Sequence, residues 1–154
     1  MRTYCAQSPY PEEFNRQAVS VIADYHFAPT ALAEENLLRE GKRRETVFVT
    51  GNTAIDALKT TVSADFSHEI LNWAQDSRLL LMTAHRRENL GEPMRQMFRA
   101  VRRISEEYPD VKVLYPIHKN PLVRTIAEEV LGGCENIRIT EPLDVIECHN
   151  IMAR

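Results

Sequence analysis

Two short segments combine histidine with basic side chains directly after apolar runs. The segment TAHRRENLG carries His85, Arg86 and Arg87, and the segment PIHKNP carries His118 and Lys119. If the apolar runs are neighbouring parallel strands, both segments lie at the carboxyl edge of one sheet, where open α/β sheets bind ligands. Arginine and the first turn of a following helix both favour phosphate oxygens. The spacing therefore predicts an anion site.

Each of these residues also has an ordinary structural interpretation. Exposed histidines are commonly only solvated, and Arg86 and Arg87 could pair with Glu88 and Glu92. The carboxylates that open the segment EEFNRQ fit the positive end of a helix dipole equally well. The sequence contains neither a Walker A loop nor GxGxxG, which favours a reaction without nucleotide hydrolysis or hydride transfer.

The elements that would position these segments alternate along the chain. Strands are expected at 26–28, 45–50, 78–83, 111–115 and 136–140, and helices at 12–25, 31–39, 53–61, 92–108, 120–131 and 144–153. This alternation predicts an α/β fold, a Rossmann-type parallel sheet with flanking helices. Two helices are expected to bury apolar stripes. The stripes are Phe14, Ala18, Val21 and Ile22 in the first helix, and Met94, Met97, Phe98, Val101 and Ile104 in the helix at 92–108.

Composition narrows the class of protein further. A length of 154 residues suggests one domain, and the net charge of −3 argues against a nucleic-acid partner. No apolar run is long enough to span a membrane, and the first residues lack the continuous apolar core of a signal peptide, so neither feature is expected. Cys5, Cys134 and Cys148 are odd in number and lack metal-type spacing, so no metal site is expected and a reducing cytoplasm is the expected location.

Six stretches, in this order and spacing, resemble the non-hydrolysing UDP-N-acetylglucosamine 2-epimerase family. They are SPYPEEFNRQ, ADYHFAPT, FVTGNTAIDALKTTV, LMTAHRRENLGEPM, YPIHKNPLVR and EPLDVIECHN. The resemblance implies a two-domain fold like that of the glycosyltransferase B class, with the active site between the domains. Residues 1–50 would be the end of the amino-terminal Rossmann-like domain. Residues 51–154 would be the first part of the carboxyl-terminal, UDP-binding domain.

The resemblance also implies a reaction that uses no redox cofactor. Family members, which are isomerases, interconvert UDP-N-acetylglucosamine and UDP-N-acetylmannosamine, a nucleotide sugar for cell-envelope polysaccharides. UDP is eliminated to leave 2-acetamidoglucal, and it adds back so that the configuration at carbon 2 is changed. Carboxylates must move the carbon-2 proton, and cationic donors must stabilise the departing diphosphate.

By this resemblance, His85 and Glu12 are implied to be catalytic, with His85 placed at the diphosphate. Leu143 and Cys148 align with positions beside the uracil, although family members often have an aromatic residue where Cys148 stands. Three further residues match positions that bind a second, activating UDP-N-acetylglucosamine in some bacterial members. They are Arg86, His118 and Glu13.

The same resemblance implies that parts of the site lie outside these residues. The family's amino-terminal phosphate-binding segment, two further catalytic carboxylates and a carboxyl-terminal UDP-binding segment have no counterpart here. The 154-residue chain is therefore expected to have little activity by itself. Because members of the family it resembles are commonly dimers, a homodimer is expected for the full-length protein. Two alternatives remain open, a non-catalytic UDP-sugar-binding remnant and a hydrolysing epimerase that releases UDP and N-acetylmannosamine.

Overall fold

A computed structural model describes residues 3–154, apart from the side chain of Arg87. Although length alone suggests one domain, the chain divides into two compact units, the first through Ala57 and the second Leu58–Arg154. The division falls within the helix Thr53–Thr61. No helix of the described residues is both long enough and apolar enough to cross a membrane.

The first unit contains a two-stranded parallel sheet, β1 (His26–Ala28) beside β2 (Val47–Val49). Helix α1 (Glu12–Ile22) precedes β1, and α2 (Ala31–Arg39) connects the strands. Thr30 caps α2 by accepting a hydrogen bond from the Ala33 amide at 3.2 Å, as Ser/Thr N-caps do. Ala28, Leu37 and Val47 form the buried cluster of this unit.

The second unit contains a three-stranded parallel sheet in the order β3-β4-β5. The chain enters it through α3 (Thr53–Thr61), which spans the division, and α4 (Glu69–Trp73). The remaining elements are β3 (Arg78–Leu81), α5 (Glu92–Glu107), β4 (Val111–Pro116), α6 (Pro121–Leu131), β5 (Ile137–Thr140) and α7 (Val145–Met152). The predicted α/β fold of parallel sheets with flanking helices is therefore confirmed.

The central strand β4 is covered on both faces. Val113 and Tyr115 pack with Phe98 of α5 and Val123 of α6 in the larger buried cluster. Leu114, on the opposite face, packs with Ile70 of α4 and Ile151 of α7. A strand buried on both faces is mostly apolar, and β4 is apolar apart from Lys112, which is why the sequence places it almost correctly.

The first helix ends at Ile22 rather than at residue 25, and several other expectations about elements and burial are corrected. Helix α4 was not expected, because five residues are too few to show a helical period. Within α5, Met94 and Phe98 are buried as expected, whereas Met97 and Ile104 are about 40% exposed. The apolar stripe of α1 is also largely exposed, with Val21 and Ile22 each at 80%. Periodicity marks a helix correctly, but it does not show how much surface a neighbouring element will cover.

Candidate functional site

Three loops meet at the carboxyl edge of the three-stranded sheet. Because β3, β4 and β5 are parallel, the segments that follow them leave the sheet on the same side. The loop after β3 contains His85 and Arg86, the loop after β4 contains His118, and the loop after β5 contains Leu143. The strand topology thus brings together residues that are up to 58 positions apart, the difference between 143 and 85.

A ring contact joins two of these loops, through His85 and His118. Their rings lie parallel within 15°, with the centroids 5.3 Å apart, and both residues are exposed. His118 Nδ1 accepts a hydrogen bond from the Asn120 amide at 3.1 Å. A neutral His118 ring therefore carries its proton on Nε2, which leaves that N–H available for an acceptor outside the loop.

The basic side chains beside this pair remain largely solvated. Arg86 is 3.6 Å from Glu88, and their side chains are 78% and 64% exposed. The ordinary pairing expected for Arg86 is therefore present, but an exposed ion pair of this kind is weak. The guanidinium could exchange Glu88 for a phosphate group without leaving a buried charge behind. Arg87, the other predicted anion ligand, has a side chain outside the described part of the chain.

The helix N-termini contribute fewer N–H donors than the sequence predicts. Pro93 and Pro121 occupy the first turns of α5 and α6 and have no amide hydrogen. Asn120 Oδ1 already accepts from the Leu122 amide at 3.0 Å. At α7, Asp144 and Glu147 form a reciprocal capping box that places two carboxylates there. The predicted anion site would therefore depend mainly on the histidine and arginine side chains of this edge.

The predicted uracil-side residues lie at the third loop. Leu143 is half-buried and packs against the cluster that contains Leu114 and Ile151. Cys148, a half-buried free cysteine, lies in the first turns of α7. Nearby, the Thr140 hydroxyl at the end of β5 is buried without a hydrogen-bond partner among the described residues. Such a group is unusual in a folded protein and marks a place where a bound molecule could supply the missing partner.

The two predicted carboxylates belong to the first unit and have different environments. Glu12 is exposed at the start of α1, where its carboxylate is free to meet solvent or a ligand. Glu13 is 2% exposed and accepts hydrogen bonds from Arg16 at 2.6 and 3.0 Å and from Gln17 at 2.9 Å. These bonds, above all those from Arg16, lower the pKa of Glu13 to about 2.

A buried asparagine side chain, which the sequence does not single out, holds α7, the helix that follows the third loop. Asn150 is fully buried, accepts from the Ser63 amide at 2.8 Å and donates to the Thr61 carbonyl at 2.7 Å. Its side chain therefore ties α7, and with it Cys148, to the segment that follows α3. Its position before Ile151 and one helical turn after Ile146 was the available signal, since a polar side chain on an apolar helix face needs partners.

Comparison with known proteins assigns the chain to a family. The family model described as UDP-N-acetylglucosamine 2-epimerase matches residues 1–154. The chain belongs to this family, as the sequence motifs indicate.

Curated relatives and solved structures agree with that assignment. The chain is 53% identical to the UDP-N-acetylglucosamine 2-epimerase of Bacillus subtilis over 154 residues, which are 100% of this chain and 40% of that protein. A Staphylococcus aureus MnaA–UDP co-structure shares 53% identity with a TM-score of 0.93, covering 97% of this chain and 41% of the other.

A Neisseria meningitidis UDP-GlcNAc 2-epimerase bound to UDP-GlcNAc shares 35% identity with a TM-score of 0.86, over 99% and 43% of the two chains. The chain thus spans about two fifths of the length of the relatives it matches. The predicted glycosyltransferase-B-like class is the class of these solved epimerases.

Proposed function

We propose that the carboxyl edge of the three-stranded sheet is the diphosphate-binding part of a UDP-N-acetylglucosamine 2-epimerase. The observation that carries the proposal is the stacked His85–His118 pair, with Arg86 adjacent, in a chain of this family. Two matched structures contain UDP or UDP-GlcNAc by their own descriptions, so a nucleotide diphosphate is the ligand class to expect.

The proposed reaction is epimerisation without hydrolysis and without a redox cofactor. A carboxylate removes the carbon-2 proton while the bond between carbon 1 and the UDP oxygen breaks, and UDP leaves with the electron pair. Re-addition of UDP and return of a proton on the other face give UDP-N-acetylmannosamine. Hydrogen-bond donors aimed at the diphosphate stabilise the charge that develops on the leaving group.

Each predicted site residue is proposed for a role that fits the chemistry of its side chain. His85 donates to the diphosphate, and Glu12, as an exposed carboxylate, is proposed as one of the groups that move the carbon-2 proton. Leu143 and Cys148 contribute apolar contact beside the uracil. Arg86 and His118 are proposed to contact diphosphate groups at this edge, including that of the second, activating nucleotide sugar that the resemblance implies for Arg86, His118 and Glu13. The Glu13 carboxylate already accepts bonds from Arg16 and Gln17.

The wider assembly follows from the resemblance and stays a prediction. Residues 1–50 are assigned to the end of an amino-terminal domain and residues 51–154 to the first part of a UDP-binding domain. A homodimer and a cytoplasmic location belong to the same prediction. We expect UDP binding from this chain because it contains the proposed diphosphate-binding edge. We expect little epimerase turnover from it because it spans about two fifths of the length of its relatives.

Calorimetric titration of the 154-residue chain with UDP tests the proposal directly. His85→Asn and Arg86→Ala should each weaken UDP binding by about tenfold or more, because each removes a charge-assisted or polar contact to the diphosphate. Arg103→Ala is the matched control, since Arg103 is 82% exposed and 3.7 Å from Glu107, much as Arg86 is placed beside Glu88. Arg103→Ala should leave the affinity unchanged.

The outcomes separate the proposal from its alternatives. No heat with UDP, or an equal loss in Arg103→Ala, would remove the proposed diphosphate site. Binding without turnover by this chain agrees with both the proposal and the non-catalytic alternative. Analysis of products from a longer chain that contains this sequence then decides the chemistry, because free N-acetylmannosamine indicates the hydrolysing branch.

A further inference from the structure

A buried tyrosine contacts the loop that carries His85. Tyr115, near the end of β4, is fully buried, and its hydroxyl donates a hydrogen bond of 2.6 Å to the Ala84 carbonyl. Ala84 immediately precedes His85. The contact therefore acts on the peptide unit that joins Ala84 to His85, which orients the backbone from which the histidine side chain projects.

The position of this bond suits a support beyond the end of the sheet. The β3 strand ends at Leu81, and the Met82 amide still donates to the Leu114 carbonyl at 2.9 Å. Past that bond the loop leaves the ladder, and its backbone carbonyls need other partners because Ala84 packs against the core. The Tyr115 hydroxyl is the partner of the Ala84 carbonyl and reaches it from the buried side of the loop.

The tyrosine itself is held rigidly and remains a donor. The ring of Phe98 packs edge-on against the Tyr115 ring, with centroids 5.4 Å apart and an interplanar angle of 61°. Burial raises the pKa of Tyr115 to about 12, so the hydroxyl keeps its proton throughout the neutral range. A phenylalanine would fill the same space but could not donate this bond.

The same stretch of chain makes a second contact with the loop. Three residues after Tyr115, the ring of His118 stacks on His85 at 5.3 Å. Two consecutive loop residues, Ala84 and His85, are thus contacted from one strand end, once below through a hydroxyl and once at the surface through a ring. We propose that Tyr115 is a positioning residue that sets the orientation of the His85–His118 pair. The proposal rests on the proposed function only for the claim that this pair binds a diphosphate.

The test uses Tyr115→Phe in the 154-residue chain, with histidine ring signals recorded by carbon-13 NMR. The chain has five histidines, and each signal is assigned by a single His→Gln variant. The signals of His85 and His118 should move, while those of His26, His68 and His149 should stay in place. UDP affinity should fall about two- to tenfold, the change that corresponds to the loss of one typical hydrogen bond.

Tyr108→Phe is the matched control. Tyr108 is 47% exposed, and its ring lies 5.8 Å from the Arg78 guanidinium. The same loss of one hydroxyl there should change neither the histidine signals nor UDP binding. Equal effects in the two variants would overturn the proposal, and so would unchanged His85 and His118 signals in Tyr115→Phe.

A measurement on the unsubstituted chain covers the case in which Tyr115→Phe shifts all five histidine signals or does not fold. A slowly exchanging hydroxyl proton of Tyr115 with nuclear Overhauser contacts to Ala84 would support the positioning role, and its absence would overturn it. If the unsubstituted chain binds no UDP, the proposed function fails, while the histidine signals still decide the role of Tyr115.

Discussion

The two units of the chain differ in what holds their strands in place. In the second unit, β4 is covered on both faces by apolar side chains from four helices. In the first unit, β1 and β2 are covered on one face by α2, whereas Phe27 and Phe48 on these strands are 70% and 44% exposed. Their rings stack at 6.0 Å on the open face.

The first unit compensates with polar contacts. Arg16 donates to Glu13 at 2.6 Å and to Glu40 at 3.2 Å, which ties α1 to the end of α2. Lys42 donates in addition to the Ser20 carbonyl. The histidine pair therefore stands on an apolar scaffold, whereas the surroundings of Glu12 depend on ionised groups.

The largest expected difference between the units comes from removing buried apolar side chains. Phe98→Ala should destabilise the second unit by about 3–5 kcal/mol, because it opens a cavity under Tyr115. Leu37→Ala should cost about 2 kcal/mol in the first unit, whose small cluster can collapse more easily. Trp73 fluorescence reports urea unfolding of the second unit, and the Ala28 and Val47 amide signals report the first.

Met97→Ala is the control on the same helix as Phe98. Met97 is 40% exposed, so its truncation should change stability by no more than about 0.5 kcal/mol. If Leu37→Ala shifted the Trp73 transition as much as Phe98→Ala does, the two units would unfold together and the comparison would fail.

Acid should destabilise the first unit more than the second, by an amount between the effects of core truncation and of glycine substitution. The pKa of Glu13 in the folded chain is about 2, below its ordinary value of 4.5. In this range the unfolded chain binds more protons, so the contribution of Glu13 is present above about pH 5 and is lost as the pH falls towards 2. The Ala28 and Leu37 amide signals should therefore lose their folded positions at a higher pH than that of Val113.

Glu13→Gln is the variant that checks the cause. It keeps the size of the side chain but cannot titrate, so the first unit should be weaker at neutral pH and less sensitive to acid. In the second unit, Arg78, Arg95 and Arg124 lower the pKa values of exposed carboxylates, namely Asp110, Glu129 and Glu141, and salt screens such pairs. An unchanged acid transition in Glu13→Gln would refute this account.

The smallest expected loss of stability comes from replacing a glycine that has positive φ, and this loss should be the same in both units. Gly41 follows α2 with φ +83° and Gly91 precedes α5 with φ +87°, and a Cβ at either position would meet nothing within 4 Å. Alanine should therefore cost only the backbone strain of about 1 kcal/mol, measured by thermal unfolding. Asparagine tolerates this conformation better and should cost less at both sites. A large difference between Gly41→Ala and Gly91→Ala would show that packing, not strain, governs one of them.

The elements around the candidate site were predictable because their signals are local. The Val111–Pro116 strand is apolar apart from Lys112, and Asn120 and Asp144 are recognisable helix caps. Glu13 shows the limit of such signals. Two adjacent glutamates at a helix start look equivalent in sequence, yet Glu12 is exposed and Glu13 is buried against Arg16.

The sequence by itself determined the family, the α/β class and the basic loops after two strands, because motifs and hydrophobic periods are properties of neighbouring residues. Only the tertiary structure decided that His85 stacks on His118, that Tyr115 bonds to Ala84, and that Asn150 ties α7 to Ser63. These contacts join residues 31 to 87 positions apart. They depend on strand order and on the side of the sheet that each chain segment reaches, which no local pattern specifies.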